Sequence, residues 1–244
     1  MSKSILITGA SRGLGEGMAR HFAARGYKLA LIARSRKSLQ ELAANLQDQA
    51  AQVTTKALDV TDFNAVAGVI RECASELGGL DIIVANAGVA INSPSGKGHF
   101  EDMRTTIDVN LTGAIATSEA AIELFREQGR GQLVGMTSVA AVRGMRGQGA
   151  YCASKAGFGK YLESLRCETA GEAITITELA PGFIDTDLNR SMPSRPFLVD
   201  AQKGTGILAD LIERRVEFRY VPPWPWTLVA QVLKFLPNSM LRKM

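Results

Sequence analysis

Residues 8–15 read Thr8-Gly9-Ala10-Ser11-Arg12-Gly13-Leu14-Gly15, and this stretch decides the fold. It follows a short β-rich run, Ser4–Thr8, and leads into a segment with helical spacing, Gly13–Arg25. Glycines suit a backbone that turns sharply and approaches a ligand closely. A helix that begins at such a turn points backbone N–H groups and its positive dipole end at a phosphate. The stretch therefore predicts a dinucleotide-binding turn between the first strand and the first helix.

Strand-like and helix-like segments alternate along the following chain. This alternation predicts right-handed βαβ units in a single-domain Rossmann fold, a doubly wound parallel sheet of about seven strands with helices on both faces. After Ser4–Thr8 the predicted strands are Lys28–Ala33, Val53–Leu58, Asp81–Ala85, Gln132–Ser138 and Ile174–Ala180. The predicted helices after Gly13–Arg25 are Arg36–Gln49, Asp62–Leu77, Glu101–Gln128 with a break near Asp108, and Ala150–Ala170. A loop rich in Gly, Pro and Ser occupies Gly88–Gly98.

Composition agrees with one globular domain. The chain has 244 residues, of which 46% are hydrophobic and 21% charged, as in ordinary soluble domains. Cys73, Cys152 and Cys167 form no CxxC pair, so we expect neither a disulfide framework nor a metal site. The plain inference is a reducing cytoplasm. No segment offers the roughly 20 uninterrupted apolar residues that a membrane span needs.

Positive charge is concentrated at the end of the chain. Six of the 28 basic residues but only one of the 24 acidic residues lie from Arg214 onward, which leaves 22 basic and 23 acidic residues before it. The body therefore gives no reason to expect nucleic-acid binding. The basic residues of this end are Arg214, Arg215, Arg219, Lys234, Arg242 and Lys243.

The spacing Thr-Gly-x-x-x-Gly-x-Gly resembles the turn of the short-chain dehydrogenase/reductase family. Further motifs of that family follow in the same order and extend the resemblance to Thr186. They are Asp59-Val60, Asn86-Ala87-Gly88, Asn110, Ser138, Tyr151 with Lys155, and Pro181-Gly182-Phe183-Ile184-Asp185-Thr186.

Tyr151 and Lys155 lie four residues apart on a predicted helix, and so on the same helical face. Lys155 can then sit beneath the phenol of Tyr151. A free tyrosine has a pKa of about 10, and a nearby ammonium favours the phenolate. Tyr151 is therefore the expected acid–base catalyst. The family pattern also implies a hydrogen bond from Lys155 to the nicotinamide ribose.

Two more residues complete the expected catalytic set. Ser138 ends its predicted strand, at the edge where ligands bind in parallel sheets, and its hydroxyl can polarise a substrate carbonyl. The family resemblance implies that Asn110 anchors a water that passes protons to Lys155. His21 and His99 have no metal-like neighbours, and Cys152 has no base partner, so we assign them no chemistry.

The second predicted strand ends in Ala33-Arg34-Ser35. A carboxylate at this place would bind a ribose 2′-hydroxyl and repel a 2′-phosphate. Arg34 can instead bind a phosphate oxygen, and Arg12 can supply a second cation. We therefore expect NADP(H). The expected cofactor-binding residues are Gly9, Ser11, Arg12, Gly13, Leu14, Gly15, Arg34, Asp59, Val60, Asn86, Ala87, Gly88, Tyr151, Lys155, Pro181, Gly182, Ile184 and Thr186.

The end of the chain departs from the family pattern. Residues 1–221 form the expected Rossmann domain and residues 222–244 an apolar and basic helical extension, which begins Pro222-Pro223-Trp224-Pro225-Trp226. Thr227–Leu236 has helical spacing with a narrow polar stripe. Tryptophan and basic residues beside an apolar helix suit a membrane interface. The alternative is that this helix docks on the body or on a second subunit and covers the substrate pocket.

The expected activity is the interconversion of a secondary alcohol and a ketone or aldehyde, as a carbonyl reductase for a hydrophobic or lipid-like substrate. Two alternatives stay open. One is a non-catalytic NADP(H)-sensing protein, and the other is a 3-oxoacyl-carrier-protein reductase in which Arg143 and Arg146 meet an acidic carrier. We expect a homodimer or homotetramer. Substrate choice is assigned to loops 88–100, 139–149 and 183–200 and to the tail.

Overall fold

A computed structural model describes residues 2–190, 192 and 194–241. Arg242 and Lys243 of the basic end lie outside the described residues. Seven parallel strands form one sheet in the order β3-β2-β1-β4-β5-β6-β7. They are β1 (Ser4–Thr8), β2 (Lys28–Ala33), β3 (Gln52–Ala57), β4 (Ile82–Ala85), β5 (Gly131–Met136), β6 (Ile174–Pro181) and β7 (Phe218–Val221). The expected fold class is confirmed.

Helices cover both faces of this sheet. They are α1 (Gly13–Ala24), α2 (Arg36–Leu46), α3 (Phe63–Leu77), α4 (Phe100–Ile107), α5 (Gly113–Gln128), α6 (Gly149–Glu168), α7 (Ala201–Glu213), α8 (Pro223–Phe235) and α9 (Asn238–Leu241). A π-helical turn, Asp108–Thr112, joins α4 to α5, and a short 3₁₀ turn, Val139–Ala141, follows β5.

The core lies in two layers on either side of the strands. On one face α1, α2 and α7 bury apolar side chains such as Phe22, Leu39 and Leu208 against β1 and β2. On the other, α3, α5 and α6 bury side chains such as Ile70 and Phe158. The strands between them are continuous apolar runs because a parallel sheet is covered on both faces.

Strand order reverses between β1 and β4. β2 and β3 lie on one side of β1, whereas β4 and the later strands lie on the other. A crevice opens at such a switch point beyond the carboxyl ends of the strands, and ligands of doubly wound proteins bind there. Because the glycine turn follows β1, the fold places it at this crevice.

Several boundaries differ from the sequence prediction. The predicted helix break near Asp108 is the π-helical turn, and α7 was not predicted. β5 ends at Met136, two residues before Ser138, and α2 ends at Leu46 rather than Gln49. Hydrophobic periodicity locates the interior of an element better than its ends, where local hydrogen bonds decide.

The C-terminal helix docks on the body. α8 begins at Pro223, four residues before the predicted start, but its backbone departs from helical geometry at Trp224, so the regular helix starts at Pro225. Proline suits this place because the N–H it lacks has no partner in the first turn of a helix. Trp226 and Ala230 of α8 are buried against β7 and the end of β6, in a small cluster with Val139 and Tyr220. The division of the chain at residue 221 stays a prediction.

Candidate active site

The glycine turn forms a backbone cradle at the N-terminus of α1. Gly9 has φ +67°, and a Cβ there would come within 2.9 Å of the Cα of Ala87. A Cβ on Gly15 would overlap the carbonyl oxygen of Gly9. Gly13, with φ +58°, is the first residue of α1. The cradle therefore requires glycine, and it fits a pyrophosphate at a helix N-terminus.

Asn86 supports this cradle from β4. Its side-chain amide donates to the carbonyl oxygen of Thr8 at 2.9 Å. The hydroxyl of Thr8 in turn accepts the backbone N–H groups of Asn86 and Ala87 at 3.0 and 3.1 Å. These bonds join the ends of β1 and β4 across the switch point. Thr8 is not among the expected cofactor-binding residues, and its hydroxyl locks the Asn-Ala-Gly segment against the turn.

The end of the crevice beyond β2 and β3 carries Arg34 and Asp59. The Arg34 guanidinium lies 3.8 Å from the Asp59 carboxylate, and the Arg34 side chain is 67% exposed. The other Asp59 oxygen accepts the N–H and hydroxyl of Thr61 at 3.0 and 2.8 Å, which holds the carboxylate. Val60 is buried against Gly113 at the start of α5. Arg34 is therefore free of tight packing and can turn toward an anion.

Ser138 and Tyr151 meet at the carboxyl end of β5. The Ser138 hydroxyl accepts the N–H of Ala140 at 3.1 Å and lies 3.4 Å from the carbonyl oxygen of Pro181. Burial raises the pKa of the Tyr151 phenol, and a hydrogen bond with Ser138 opposes part of that rise. The phenol therefore keeps its proton at neutral pH and lies beside a second hydroxyl.

The structure shows what orients Lys155 on α6. Its ammonium group donates to the carbonyl oxygen of Met136 at 2.8 Å, at the end of β5. Only 5% of the residue is exposed, and this burial lowers the pKa of Lys155 to about 8. The pKa of Tyr151 is shifted by burial of the phenol, by its hydrogen bond with Ser138 and by the neighbouring Cys152. In this structure the lysine is thus oriented by β5, and its position beneath the phenol stays a prediction.

Asn110 is fully buried inside the π-helical turn. Its side-chain oxygen accepts the N–H of Val89 at 2.8 Å, and its amide donates to the carbonyl of Val89 at 2.8 Å. The amide also reaches the hydroxyl of Ser154 at 3.3 Å. The side chain therefore joins the loop after β4 to α6. A Cβ on Gly88 would lie 3.3 Å from the Asn110 oxygen and 3.7 Å from the Lys155 nitrogen, so Gly88 leaves room where these groups converge.

The segment after β6 closes the crevice opposite the glycine turn. Thr186 is buried, and its side chain would lie 3.6 Å from a Cβ on Gly13. Ile184 turns its side chain inward against Gly204 of α7. Pro181 and Gly182 follow the line of β6, where Gly182 donates its N–H to Val221 at 2.9 Å. The structure thus brings this segment, the cradle and the Tyr151 cluster to one edge of the sheet.

Trp226 and Arg143 also reach this edge, through contacts that the sequence did not predict. The Trp226 indole covers Gly182 so closely that a Cβ there would overlap it. Arg143 donates to the carbonyl of Lys234 and the side chain of Asn238, both at 2.9 Å, and so fastens the loop after Ser138 to the tail. The sequence pattern does not indicate which groups Trp226 and Arg143 contact, because the partners lie far from them along the chain.

A doubly wound parallel sheet with a glycine cradle at its switch point defines a nucleotide-binding α/β protein. Within the residues that the structure describes, no group of three His, Cys, Asp or Glu side chains is arranged to hold a metal ion. The model of the short chain dehydrogenase family matches residues 3–196. The chain belongs to this family, so it is an oxidoreductase of a kind that works with a nicotinamide cofactor.

Known relatives agree with that assignment. An "uncharacterized oxidoreductase" of Mycobacterium tuberculosis is 39% identical over 244 residues, covering 99% of this chain and 96% of the relative. A 3-oxoacyl-[acyl-carrier-protein] reductase of Escherichia coli is 34% identical over 209 residues, covering 86% of this chain and 82% of the relative. Among solved structures, an alcohol dehydrogenase of Thermococcus sibiricus complexed with 5-hydroxy-NADP has a TM-score of 0.82 at 30% identity, covering 90% of this chain and 96% of that one.

Proposed function

We propose that the protein is an NADP(H)-dependent reductase that converts a ketone or aldehyde to an alcohol, with Tyr151 as the proton donor. The observation that carries this proposal is the pairing of Tyr151 with Ser138 at the edge of the sheet that holds the glycine cradle. A protonated phenol beside a hydroxyl can bind a carbonyl oxygen from two directions.

The chain's own residues handle the proton. When bound, the nicotinamide supplies the hydride. Tyr151 keeps its proton at neutral pH because burial raises its pKa, so it donates that proton to the carbonyl oxygen. Ser138 donates its hydroxyl hydrogen to the same oxygen and fixes its position. In alcohol oxidation the same groups act in reverse, and the rate rises with pH as the phenol loses its proton.

Lys155 and Asn110 are the positioning members of the proposed set. The Met136 carbonyl directs the Lys155 ammonium, and a lysine pKa of about 8 allows proton exchange near neutral pH. Asn110 holds the loop that carries Gly88 against α6. We therefore assign Asn110 the role of anchoring this loop. A water that passes protons to Lys155 would lie beside the lysine ammonium group.

What supports NADP(H) over NAD(H) is the basic end of the crevice. Arg34 follows β2, where a carboxylate would select a 2′-hydroxyl, and Arg12 lies at the end of the glycine turn. Asp59 is held by Thr61 and lies 3.8 Å from Arg34, a loose pair that a 2′-phosphate can displace. The bound 5-hydroxy-NADP of the Thermococcus enzyme points the same way.

We assign a bulky hydrophobic substrate. A groove of about 560 Å³ lies between the loop after Ser138 and the tail, with Gly144, Arg146, Asn238 and Leu241 among its lining residues. Phe183, Phe197 and Trp226 form an aromatic cluster beside Gly182. Aromatic side chains beside Gly182 suit a large carbonyl compound better than a small polar one.

Reduction of a 3-oxoacyl group on a carrier protein is the second candidate, since the Escherichia coli relative is named for it. One observation counts against it. Arg143, which could have met an acidic carrier, is hydrogen-bonded to the tail, so Arg146 is the arginine of the pair that the loop leaves exposed. A carrier reductase needs a broader basic surface.

A substrate panel tests this function. Ketones and aldehydes of increasing chain length and an acetoacetyl-carrier protein are each incubated with NADPH, and loss of NADPH absorbance is followed. We expect kcat/KM to rise with chain length for the free ketones. Turnover of the carrier substrate alone would move the assignment to the second candidate, and no turnover of any compound would favour a cofactor-sensing protein.

We also propose a homodimer or homotetramer in the cytoplasm. The three cysteines are unpaired, with Cys73 and Cys152 buried and Cys167 exposed, which suits a reducing compartment. Light scattering coupled to size-exclusion chromatography measures the oligomeric state, and a monomer at micromolar concentration would contradict this part of the proposal.

A further inference from the structure

The outer side of α8 carries an apolar stripe. Leu228, Val232 and Phe235 are 54%, 52% and 83% exposed. They are spaced by four and three residues, so they lie on one helical face. We call these three residues the tail face. Trp224 just before them and Met240 of α9 after them are also more than half exposed.

The orientation of α8 is fixed by its other side. Trp226 and Ala230 are 4% and 0% exposed within the cluster on β7. Arg143 holds the C-terminal end of this helix, because its guanidinium donates hydrogen bonds to the backbone carbonyl groups of Leu233 and Lys234. Turning the helix to hide the tail face would expose Trp226. The face is therefore presented outward by the fold itself, and exposed apolar clusters of this kind mark interaction sites.

Charge around the tail face selects the partner. No Asp or Glu follows Glu217 in the sequence, whereas Lys234 lies exposed on α8 and Arg146 lines the adjoining groove. A second copy of the chain would bring the same basic surface to both sides of a symmetric contact, with no acidic residue of the tail to pair with it. A surface that is both apolar and anionic complements the tail face and its charges.

We propose that the tail face docks the protein on an anionic phospholipid membrane, with α8 lying in the plane of the interface. No helix within the described residues is long and apolar enough to cross a bilayer. After the non-helical Trp224, the regular part of α8 runs from Pro225 to Phe235, a helix of about 16 Å, which suits an in-plane orientation. Trp224 takes the headgroup level that tryptophan prefers.

Docking has a consequence for the substrate groove. The groove is lined by Asn238 and Leu241, which follow α8 directly, and by Arg146 of the loop after Ser138. A membrane bound along the tail face therefore lies beside the entrance of the groove. This consequence rests on the proposed function, whereas the docking itself does not and is measured without turnover.

Vesicle sedimentation of the full chain tests the proposal. The vesicles contain phosphatidylcholine alone or an equimolar mixture of phosphatidylcholine and phosphatidylglycerol, and partition coefficients are measured at low and high salt. We expect binding to the anionic vesicles and a loss of about tenfold or more when Leu228, Val232 and Phe235 are all replaced by Ser. Lys234→Gln lowers binding about fivefold at low salt, because one basic residue near an anionic surface contributes that much.

The control replaces Phe63 and Phe100 by Ser, since both are exposed apolar residues at the starts of α3 and α4, away from the tail. It is expected to bind vesicles like the wild type. Circular dichroism and thermal melting of each variant establish that the fold persists. Wild-type protein that does not pellet with anionic vesicles, or a triple variant that pellets as well as wild type, would overturn the proposal. Conversion of a dimer to a monomer by the triple variant, without vesicle binding by the wild type, would make the tail face a contact between two copies instead.

Discussion

At the scale of single residues, the site is a set of polar groups whose ionisation the fold controls. Burial raises the pKa of Tyr151 and lowers that of Lys155 to about 8. Both shifts favour the neutral form of the group, which is the form that desolvation always favours. The phenol is thereby kept as an acid for reduction, and the amine is kept close to its titration point.

Lys155→Met tests the cost of that buried charge. A pKa lowered from 10.5 to about 8 corresponds to roughly 3 kcal/mol, whereas loss of the bond to Met136 costs about 1–3 kcal/mol. We therefore expect the cofactor-free variant to be more stable than wild type at pH 7 by about 1 kcal/mol, while its turnover is lost. Thermal melting and an NADPH assay measure the two effects.

The pH dependence of this effect has a defined sign. Because the folded pKa of Lys155 is depressed, burial of this group does not destabilise the protein above its unfolded pKa of 10.5. The destabilisation grows as pH falls from 10.5 and is complete below about 8. The advantage of Lys155→Met is then largest below pH 8 and disappears as pH rises toward 10.5. An advantage that grows with pH would contradict the assignment of a buried ammonium.

Arg34→Asp tests the choice of cofactor. A guanidinium bound to a phosphate contributes about 1.5–3 kcal/mol, so we expect the ratio of kcat/KM for NADPH to that for NADH to fall about 10- to 100-fold. Lys37→Asp makes the same change of charge three residues later, at an 88% exposed side chain of α2, and serves as the control. A wild-type preference for NADH would remove the NADP(H) assignment outright.

The order of the motifs predicted that their residues lie near one another, but not how their polar groups are bonded, and their roles stay predictions. The glycines, Asn86, Ser138 and Tyr151 converge as their sequence positions indicated. The position of the Lys155 ammonium was not predictable, because it depends on a carbonyl of β5 that any residue can supply. The bonds of Thr8 were not predictable for the same reason, since its hydroxyl accepts two backbone N–H groups.

At the scale of elements, α8 depends on one aromatic side chain. Trp226 is buried against Gly182 and makes edge-on contacts with Phe183 and Phe197, with ring centroids 5.9 and 5.8 Å apart. Its indole N–H has no hydrogen-bond partner within the described residues. The ring therefore contributes through packing, and the burial of its unpaired N–H opposes part of that contribution.

A pair of substitutions separates these contributions. Trp226→Ala is expected to lower the free energy of unfolding by about 3–5 kcal/mol, as for other buried tryptophans. Trp226→Phe keeps an aromatic ring and removes the unpaired N–H, so a cost below about 1.5 kcal/mol is expected. Urea unfolding measures both. Equal losses in the two variants would show that the indole nitrogen has a partner.

Element type was predictable where periodicity is strong and failed where contacts decide. β1, β2 and β4 read as apolar runs because both of their faces are covered. α7 was missed, although Asp200 caps it by accepting the N–H groups of Gln202 and Lys203 at 2.8 and 3.1 Å. The sequence therefore contains both signals of this helix, a capping residue and apolar positions at helical spacing.

At the scale of the whole molecule, the parallel sheet holds the two sides of the crevice at fixed positions. The glycine turn follows β1, and the opposing segment with Thr186 follows β6, which is separated from β1 in the sheet by β4 and β5. A dinucleotide in this crevice would join elements from both halves of the chain. Such a ligand binds the folded state alone and stabilises it as a unit.

NADPH is therefore expected to raise the melting temperature. Ligand at 100 times its Kd adds about 2.7 kcal/mol, which corresponds to about 5–10 °C for a domain of this size. NADH at the same concentration should give a smaller shift because it lacks the 2′-phosphate. Scanning fluorimetry with both cofactors decides this, and equal shifts would contradict a role of Arg34 in binding.

The central claim is that Tyr151 donates the proton in a reaction that uses NADPH, and the most direct measurement compares Tyr151→Phe with wild type in one preparation. The account predicts a fall in kcat of at least about 100-fold with the Kd for NADPH unchanged, because phenylalanine keeps the ring and loses the hydroxyl. Tyr161→Phe removes a phenol hydroxyl from the same helix, α6, and should leave turnover intact. Near-wild-type turnover by Tyr151→Phe would contradict the account.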